Sequence, residues 1–129
     1  MIVADSSVWI AALRGGSSPA VEHFAVASQD DNIIVGDVIL LEVLQGARSS
    51  AHAALLERAM RRHPVVPFLG GDLPVKAAAN YRLLRGRGVT VKKTVDLVIA
   101  TFCLENDHIL LHQDRDYSHF TTHLGLRVP

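Results

Sequence analysis

The sequence predicts an α/β fold built on a mainly parallel sheet. Three observations carry that prediction. Short apolar runs, Ile2-Val3-Ala4, Ile33 to Val35 and His108 to Leu111, recur along the chain. Segments of helical spacing and composition lie between them. The first run and the last each lead into a carboxylate, Asp5 and Asp114. Apolar strands alternating with helices are the signature of a parallel sheet covered on both faces, whose ligands bind beyond the carboxyl ends of the strands.

Taken in order, Met1 to Ala4 reads as a buried strand, and a helix follows from about Ser7 to Leu13 with Ser6 or Ser7 as its cap. Arg14-Gly15-Gly16 stops it. Ser18-Pro19 opens a second helix, a capping serine before proline at the first helical position, which would turn Val21, Phe24 and Ala25 inward. Asp30-Asp31-Asn32 is a turn before the strand Ile33 to Val35. Gly36-Asp37 leads into a helix from about Val38 to Ala47, and another runs from about Ser50 to His63 and stops at Pro64. Val65-Val66 reads as a minor strand. Leu73 to Leu84 is helical and ends at Gly86 and Gly88; Thr94 caps a helix reaching about Glu105. The strand His108 to Leu111 follows, and the tail Gly125 to Pro129 has room for a last short strand.

A chain of 129 residues, 49% hydrophobic and 20% charged, fits one domain with a real core, spanning 1–129. Thirteen bases balance 13 acids, so net charge argues for no particular partner. One cysteine, Cys103, excludes a disulfide framework and a cysteine metal cluster. No apolar run approaches the ~18 residues of a membrane span, and no signal peptide precedes the first strand, so the expectation is a cytoplasmic protein without a membrane role.

The chemistry sits in the acids. Asp5 alone is equally a helix cap. Glu42 lies in VILLEVLQGA, where Glu42, Gln45 and Ser49 recur at i, i+3 and i+7 as a polar stripe. That stripe is either solvated or shielded by its apolar flanks, and a shielded carboxylate needs a partner. Asp96 lies in KKTVDLVIATFCLEN, in the first turn of a helix apolar on nearly all sides. The helix dipole favours an anion there by up to about 1 kcal/mol. Asp114 and Asp116 lie in ILLHQDRDYSHF; Asp114 would face Asp5 if their strands are neighbours, and Asp116 is either a further acid of the site or the cap of a short helix. Carboxylates brought together raise one another's pKa, and such clusters usually hold hard divalent cations such as Mg²⁺. No Walker loop, GxSxG or HExxH competes.

The four pieces in this order, an N-terminal strand ending in Asp before SSVWI, then LLEVLQGAR, TVDLVIA and LLHQDRDY, resemble the PIN-domain ribonucleases, and among them the VapC-type toxins of toxin–antitoxin pairs. The likeness spans about residues 1–120. It implies an α/β/α sandwich around a parallel sheet, and it carries the family's acids onto Asp5, Glu42, Asp96 and Asp114, with Asp116 as a fifth. It further implies Mg²⁺ or Mn²⁺ as cofactor, single-stranded or looped RNA (often tRNA or ribosomal RNA) as substrate, a cognate antitoxin that covers the site, and a homodimer. Family members often carry Phe where this chain has Tyr117, and Thr where it has Ser6 or Ser7.

RNA requires positive charge. Between Leu73 and Val95 stand Lys76, Arg82, Arg85, Arg87, Lys92 and Lys93 without an acid; the segment is either a phosphate-binding face or a solvated one. Tyr81 is a candidate for stacking on a base or for the core, His112 for a supporting place beside the acids, and Trp9 for the core or a dimer contact. Two other classes compete: a PIN-like module that binds RNA or protein without cutting, and a phosphotransfer domain with Asp after its first strand. The haloacid dehalogenase form of the latter wants a second Asp at position 7, which is Ser here.

Overall fold

The computed structural model describes residues 1–129. Four strands, β1 (Ile2–Ala4), β2 (Ile33–Gly36), β3 (Val65–Val66) and β4 (Ile109–Leu111), form one parallel sheet in the order β3-β2-β1-β4. Val3 pairs with Ile34 on one side and Leu110 on the other, so β1 is central and flanked by β2 and β4. Seven helices flank the sheet: α1 (Ser6–Leu13), α2 (Pro19–Gln29), α3 (Asp37–Gln45), α4 (Ser50–Met60), α5 (Leu73–Gly86), α6 (Thr94–Asn106) and α7 (Ser118–Leu124). Helices α1 to α4 pack on one another, α5 packs on α6, and the result is an α/β/α sandwich.

Strands this short are held by burial on both faces, not by length. Val3, Ala4, Ile33, Val35 and Leu110 are fully buried, and burying a side chain of this size stabilises by roughly 1.5–3 kcal/mol. Helix α6 is the central prop of the second face. Its run from Leu97 to Thr101 is buried, as is Cys103. Burial pushes the Cys103 thiol up to about 12, which makes it an inert part of the core.

The structure departs from the sequence expectations at several ends. The cap of α1 is Asp5, whose side chain accepts from the Val8 N–H; Ser6 and Ser7 are already helical. Thr94 is the first residue of α6 and Lys93 stands in the cap position without a side-chain bond. Val21 and Phe24 are partly buried as expected, but Ala25 is exposed, and Ala27, three residues past Phe24, carries the buried position on α2. Helix α3 stops at Gln45, so Ser49 is not on the Glu42 stripe; it caps α4 instead, accepting from His52 N–H at 3.0 Å. Helix α5 runs through Gly86, and the chain turns at Gly88, whose φ of 82° suits glycine. The tail forms no strand: a single bond from Leu110 N–H to Arg127 C=O is too little for a ladder. Trp9 belongs to the core, 2% exposed and edge-on to Phe24 at 4.7 Å, and is not a dimer contact surface.

Candidate metal centre

Four separate elements deliver acids to the carboxyl edge of the sheet. Asp5 leaves β1 with its N–H donated to Leu111 C=O at 3.0 Å, which ties it to the end of β4. Its Oδ1 accepts from the Ser7 hydroxyl at 2.6 Å and from Val8 N–H at 3.3 Å. Both donors use the same oxygen, so Oδ2 is left without a protein partner. Asp5 is therefore a helix cap and still has an oxygen to offer. Burial raises its pKa, against the lowering effect of Ser7, Val8 N–H and the His112 imidazole.

Glu42 projects from α3, half-buried, where burial raises its pKa. The Ser6 hydroxyl and Lys93 pull it down, while the charges of Asp96 and Asp5 push it up. Of the two readings of this residue, the shielded one holds. Gln45 and Ser49 remain exposed and stand apart.

Asp96 is 9% exposed, in the first turn of α6. Its Oδ1 accepts from the Tyr117 hydroxyl at 3.2 Å. Burial raises its pKa; Tyr117 and Lys93 oppose that, and Asp114 and Asp5 add to it. Burial, with the charges of Asp5 and Asp96, drives the Tyr117 pKa upward, so that hydroxyl is a proton donor and never a competing anion.

Asp114 and Asp116 follow β4. Asp114 Oδ1 accepts from Asp116 N–H at 2.9 Å and so caps the single 3-10 turn Arg115–Tyr117. Asp114 N–H in turn donates to His112 Nδ1 at 3.2 Å, and the His112 ring lies 4.9 Å from that of Tyr117. The cap in this segment is thus Asp114. The carboxylate of Asp116 caps nothing, and α7 begins without a side-chain cap bond. Asp96, Asp114 and Asp116 present oxygens that all lie within 4.8 Å of one another. Asp5 and Glu42 stand outside that tightest triple, although their charges reach Asp96. The sequence alone placed Asp5 ahead of Asp116 in this respect.

No base neutralises these acids by contact. The three ion pairs, Arg61–Glu57, Lys76–Glu105 and Arg127–Asp107, all lie elsewhere on the surface. The donor set is entirely carboxylate oxygen, without thiolate or imidazole. That set suits a hard cation such as Mg²⁺ or Mn²⁺ and not zinc or copper.

Sequence reasoning missed the hydroxyl partners. Local sequence marks Ser6 and Ser7 only as caps and Tyr117 only as a variant of the family's Phe. The only signal was Ser two positions after Asp5, too common to single out. Lys93 stands in sequence as one base among six, and nothing in the spacing shows that its charge reaches Asp96 and Glu42. Of the other bases, Lys76 is paired with Glu105 at 2.8 Å, Arg85 lies over the Tyr81 ring at 5.7 Å, and Arg87 donates to His123 C=O at 3.4 Å.

Residues 2–122 match the PIN domain family. A VapC ribonuclease of Mycobacterium bovis is 32% identical over 122 residues, covering 91% of this chain and 89% of its own. The ribonuclease VapC11 of Mycobacterium tuberculosis matches to the same extent. Among solved structures, VapBC2 of Rickettsia felis, bound to a DNA fragment from its promoter, superposes with a TM-score of 0.79 at 14% identity, covering 100% of this chain and 98% of that one.

Proposed function

The chain belongs to the PIN domain family, among its VapC-type members, and from that membership and the acidic centre we propose that it is a divalent-metal-dependent endoribonuclease toxin, silenced by a cognate antitoxin. The observation that carries the proposal is the triple of Asp96, Asp114 and Asp116, within 4.8 Å and unneutralised by any base. Such a group is costly to assemble without a cation to fill it.

Asp96, Asp114 and Asp116 would hold Mg²⁺ or Mn²⁺, with Asp5 Oδ2 and Glu42 reaching it directly or through water. The cation, when bound, activates water and offsets charge on the leaving oxygen of a phosphodiester. Asp5 is locked in place by Ser7 and Val8, and Asp96 by Tyr117, so neither carboxylate has to reorganise when substrate arrives. Glu42, its pKa raised by burial, is suited to orient the attacking water and take its proton on a carboxylate oxygen. Lys92 and Lys93 supply positive charge at the rim for the RNA backbone.

The partner protein is supported by the toxin–antitoxin complexes among the structural neighbours. A groove floored by Ile10, Val43 and Leu56 and rimmed by Arg14 and His52 offers an apolar surface for it. A homodimer, with tRNA or ribosomal RNA as substrate, completes the proposal.

The test is incubation of purified, antitoxin-free protein with total RNA and Mg²⁺ or Mn²⁺, beside Asp5→Asn and an EDTA control. Discrete products that require both the metal and Asp5 are expected. Intact RNA with a folded, metal-loaded protein points instead to a binding module.

A further inference from the structure

A cavity of about 280 Å³ lies where the exit of β4, the first turns of α2 and the C-terminal tail meet. Pro19 and His23 of α2, Leu111 and His112 of the β4 exit, and Pro129 of the tail line it. Resting on the ribonuclease proposal, we infer that this cavity holds one nucleobase of the RNA, stacked on the His23 ring. The base belongs to a nucleotide flanking the cut, so the cavity sets a base preference beside the cleavage position.

His112 joins the cavity to the acids. Its charge is felt at Asp5, and its ring lies 4.9 Å from that of Tyr117, whose hydroxyl donates to Asp96. A strand with a phosphate at the acids therefore brings a neighbouring base to the cavity.

The lining selects the occupant. No lysine, arginine, aspartate or glutamate contributes to it. A phosphate finds no strong countercharge there, and a metal ion finds no carboxylate side chain. What the cavity offers is flat, two imidazoles and two proline rings. The His23 side chain takes part in no hydrogen bond within the chain, and His112 uses only Nδ1, which accepts from Asp114 N–H at 3.2 Å. Three imidazole nitrogens are thus free to bond the edge of a heterocycle. Unstacked bases of single-stranded RNA are held in this way, by stacking on aromatic rings, histidine among them, and by bonds to their edges. The volume falls just short of the roughly 300 Å³ at which pockets for drug-sized ligands begin, which is room for one base. An aliphatic side chain of a partner protein would make no use of the ring nitrogens.

The walls are fixed before any ligand arrives. Ser18 caps α2 by accepting from Val21 N–H at 3.1 Å, and the Gln113 side-chain amide donates to the same hydroxyl oxygen at 2.6 Å. That second bond ties the start of α2 to the exit of β4. Proline at the first helical position needs no N–H partner, and His23 follows one turn later on the same face. Leu110 N–H, donating to Arg127 C=O at 2.9 Å, lays the tail alongside β4.

The test is a binding cycle by fluorescence anisotropy in Mg²⁺. Short labelled oligonucleotides of A, of C or of U, and an abasic oligomer of equal length, are titrated with the non-cleaving Asp5→Asn protein, alone and with His23→Ala or His23→Phe. His23→Ala is expected to weaken binding of the preferred base-bearing oligomer at least about fivefold, the loss of one stacked base. It is expected to bind the abasic oligomer as its parent does and to keep the parent's log–log salt slope, since no phosphate contact is lost. His23→Phe keeps a flat face and is expected to restore affinity. In protein with Asp5 intact, His23→Ala is expected to flatten the base preference at one position beside the cuts mapped in total RNA. Unchanged affinity of His23→Ala for every oligomer, or an equal loss on the abasic and base-bearing ones, overturns the subsite and leaves the nuclease reading intact where the parent binds and cuts RNA. Unchanged RNA binding with weaker binding of the antitoxin likewise overturns it and gives the cavity to a protein segment. A parent that neither binds nor cuts RNA overturns both readings.

Discussion

At the scale of the residue, this site is governed by which oxygen of each carboxylate is already occupied. Asp5 spends Oδ1 on Ser7 and Val8, and Asp96 spends Oδ1 on the buried Tyr117 hydroxyl. Each keeps its second oxygen without a partner in the chain, open to the cation of the proposed function. Groups that fix a metal ligand in this way typically change metal affinity or activity by about 10–100-fold. Tyr117→Phe removes one hydroxyl and leaves the buried ring, which is 1% exposed, in place. The expected outcome is about tenfold weaker Mn²⁺ binding by calorimetry, with a stability change within about 1 kcal/mol. Equal affinity in both proteins would show that Asp96 is held by its helix alone. None of this was legible beforehand. Nothing in LLHQDRDYSHF shows that the tyrosine three residues past Asp114 turns back onto a carboxylate from another helix.

At the scale of the element, α3 reaches the site only because β2 and the chain after β3 approach closely. A Cβ on Gly36 would meet the Phe68 ring at 2.5 Å. That ring stacks on Phe102 of α6 at 3.8 Å, and Phe68 N–H donates to Asp37 Oδ1 at 3.1 Å. A rigid ring held on both sides has nowhere to move. Gly36→Ala is therefore expected to destabilise by about 1–3 kcal/mol through overpacking, read as a fall in the denaturant midpoint with an unchanged m-value. Elements themselves were well foretold: the strands and the helices through α6 lie where the apolar runs and the Ser-Pro, Gly and Pro signals put them. Their ends were less so. Whether Asp5 or a serine caps α1, and whether Ser49 extends α3 or begins α4, depends on side-chain geometry that local sequence leaves open. Helix α7 shows in sequence only as a short helix of unmarked extent, since Phe120 and Leu124 are too few to define a period.

At the scale of the whole molecule, the site is a source of strain in the fold. Burial raises the pKa of Asp5, Glu42 and Asp96. Each binds its proton more tightly in the folded chain than in the unfolded one. The penalty is absent below the ordinary carboxylate values, grows as pH rises from there, and is complete only above the raised folded values. A divalent cation relieves it and adds mass-action stabilisation, about 2.7 kcal/mol at a hundredfold excess over Kd. Mg²⁺ is thus expected to raise the thermal midpoint by several degrees at pH 7 and by less near pH 4, where the raised pKa values of Asp5, Glu42 and Asp96 favour their protonated forms. Equal shifts at both pH values would mean that the cation acts elsewhere. The pairing of β1 with both β2 and β4 is what concentrates the acids: the register Ala4 to Leu111 sets Asp5 beside the exit of β4.

The sequence by itself determined the alternation of strand and helix, the identity of the acids and the family they resemble. Those are properties of local pattern, carried by apolar period and by residue type at fixed spacing. Only the tertiary structure decided how the acids divide. Asp96, Asp114 and Asp116 form the tight triple, Asp5 and Glu42 stand one step back, and Ser7, Tyr117 and His112 hold them in place. The physical reason is that mutual distance between side chains from four elements follows from strand order and packing angle, and no stretch of sequence encodes either one locally.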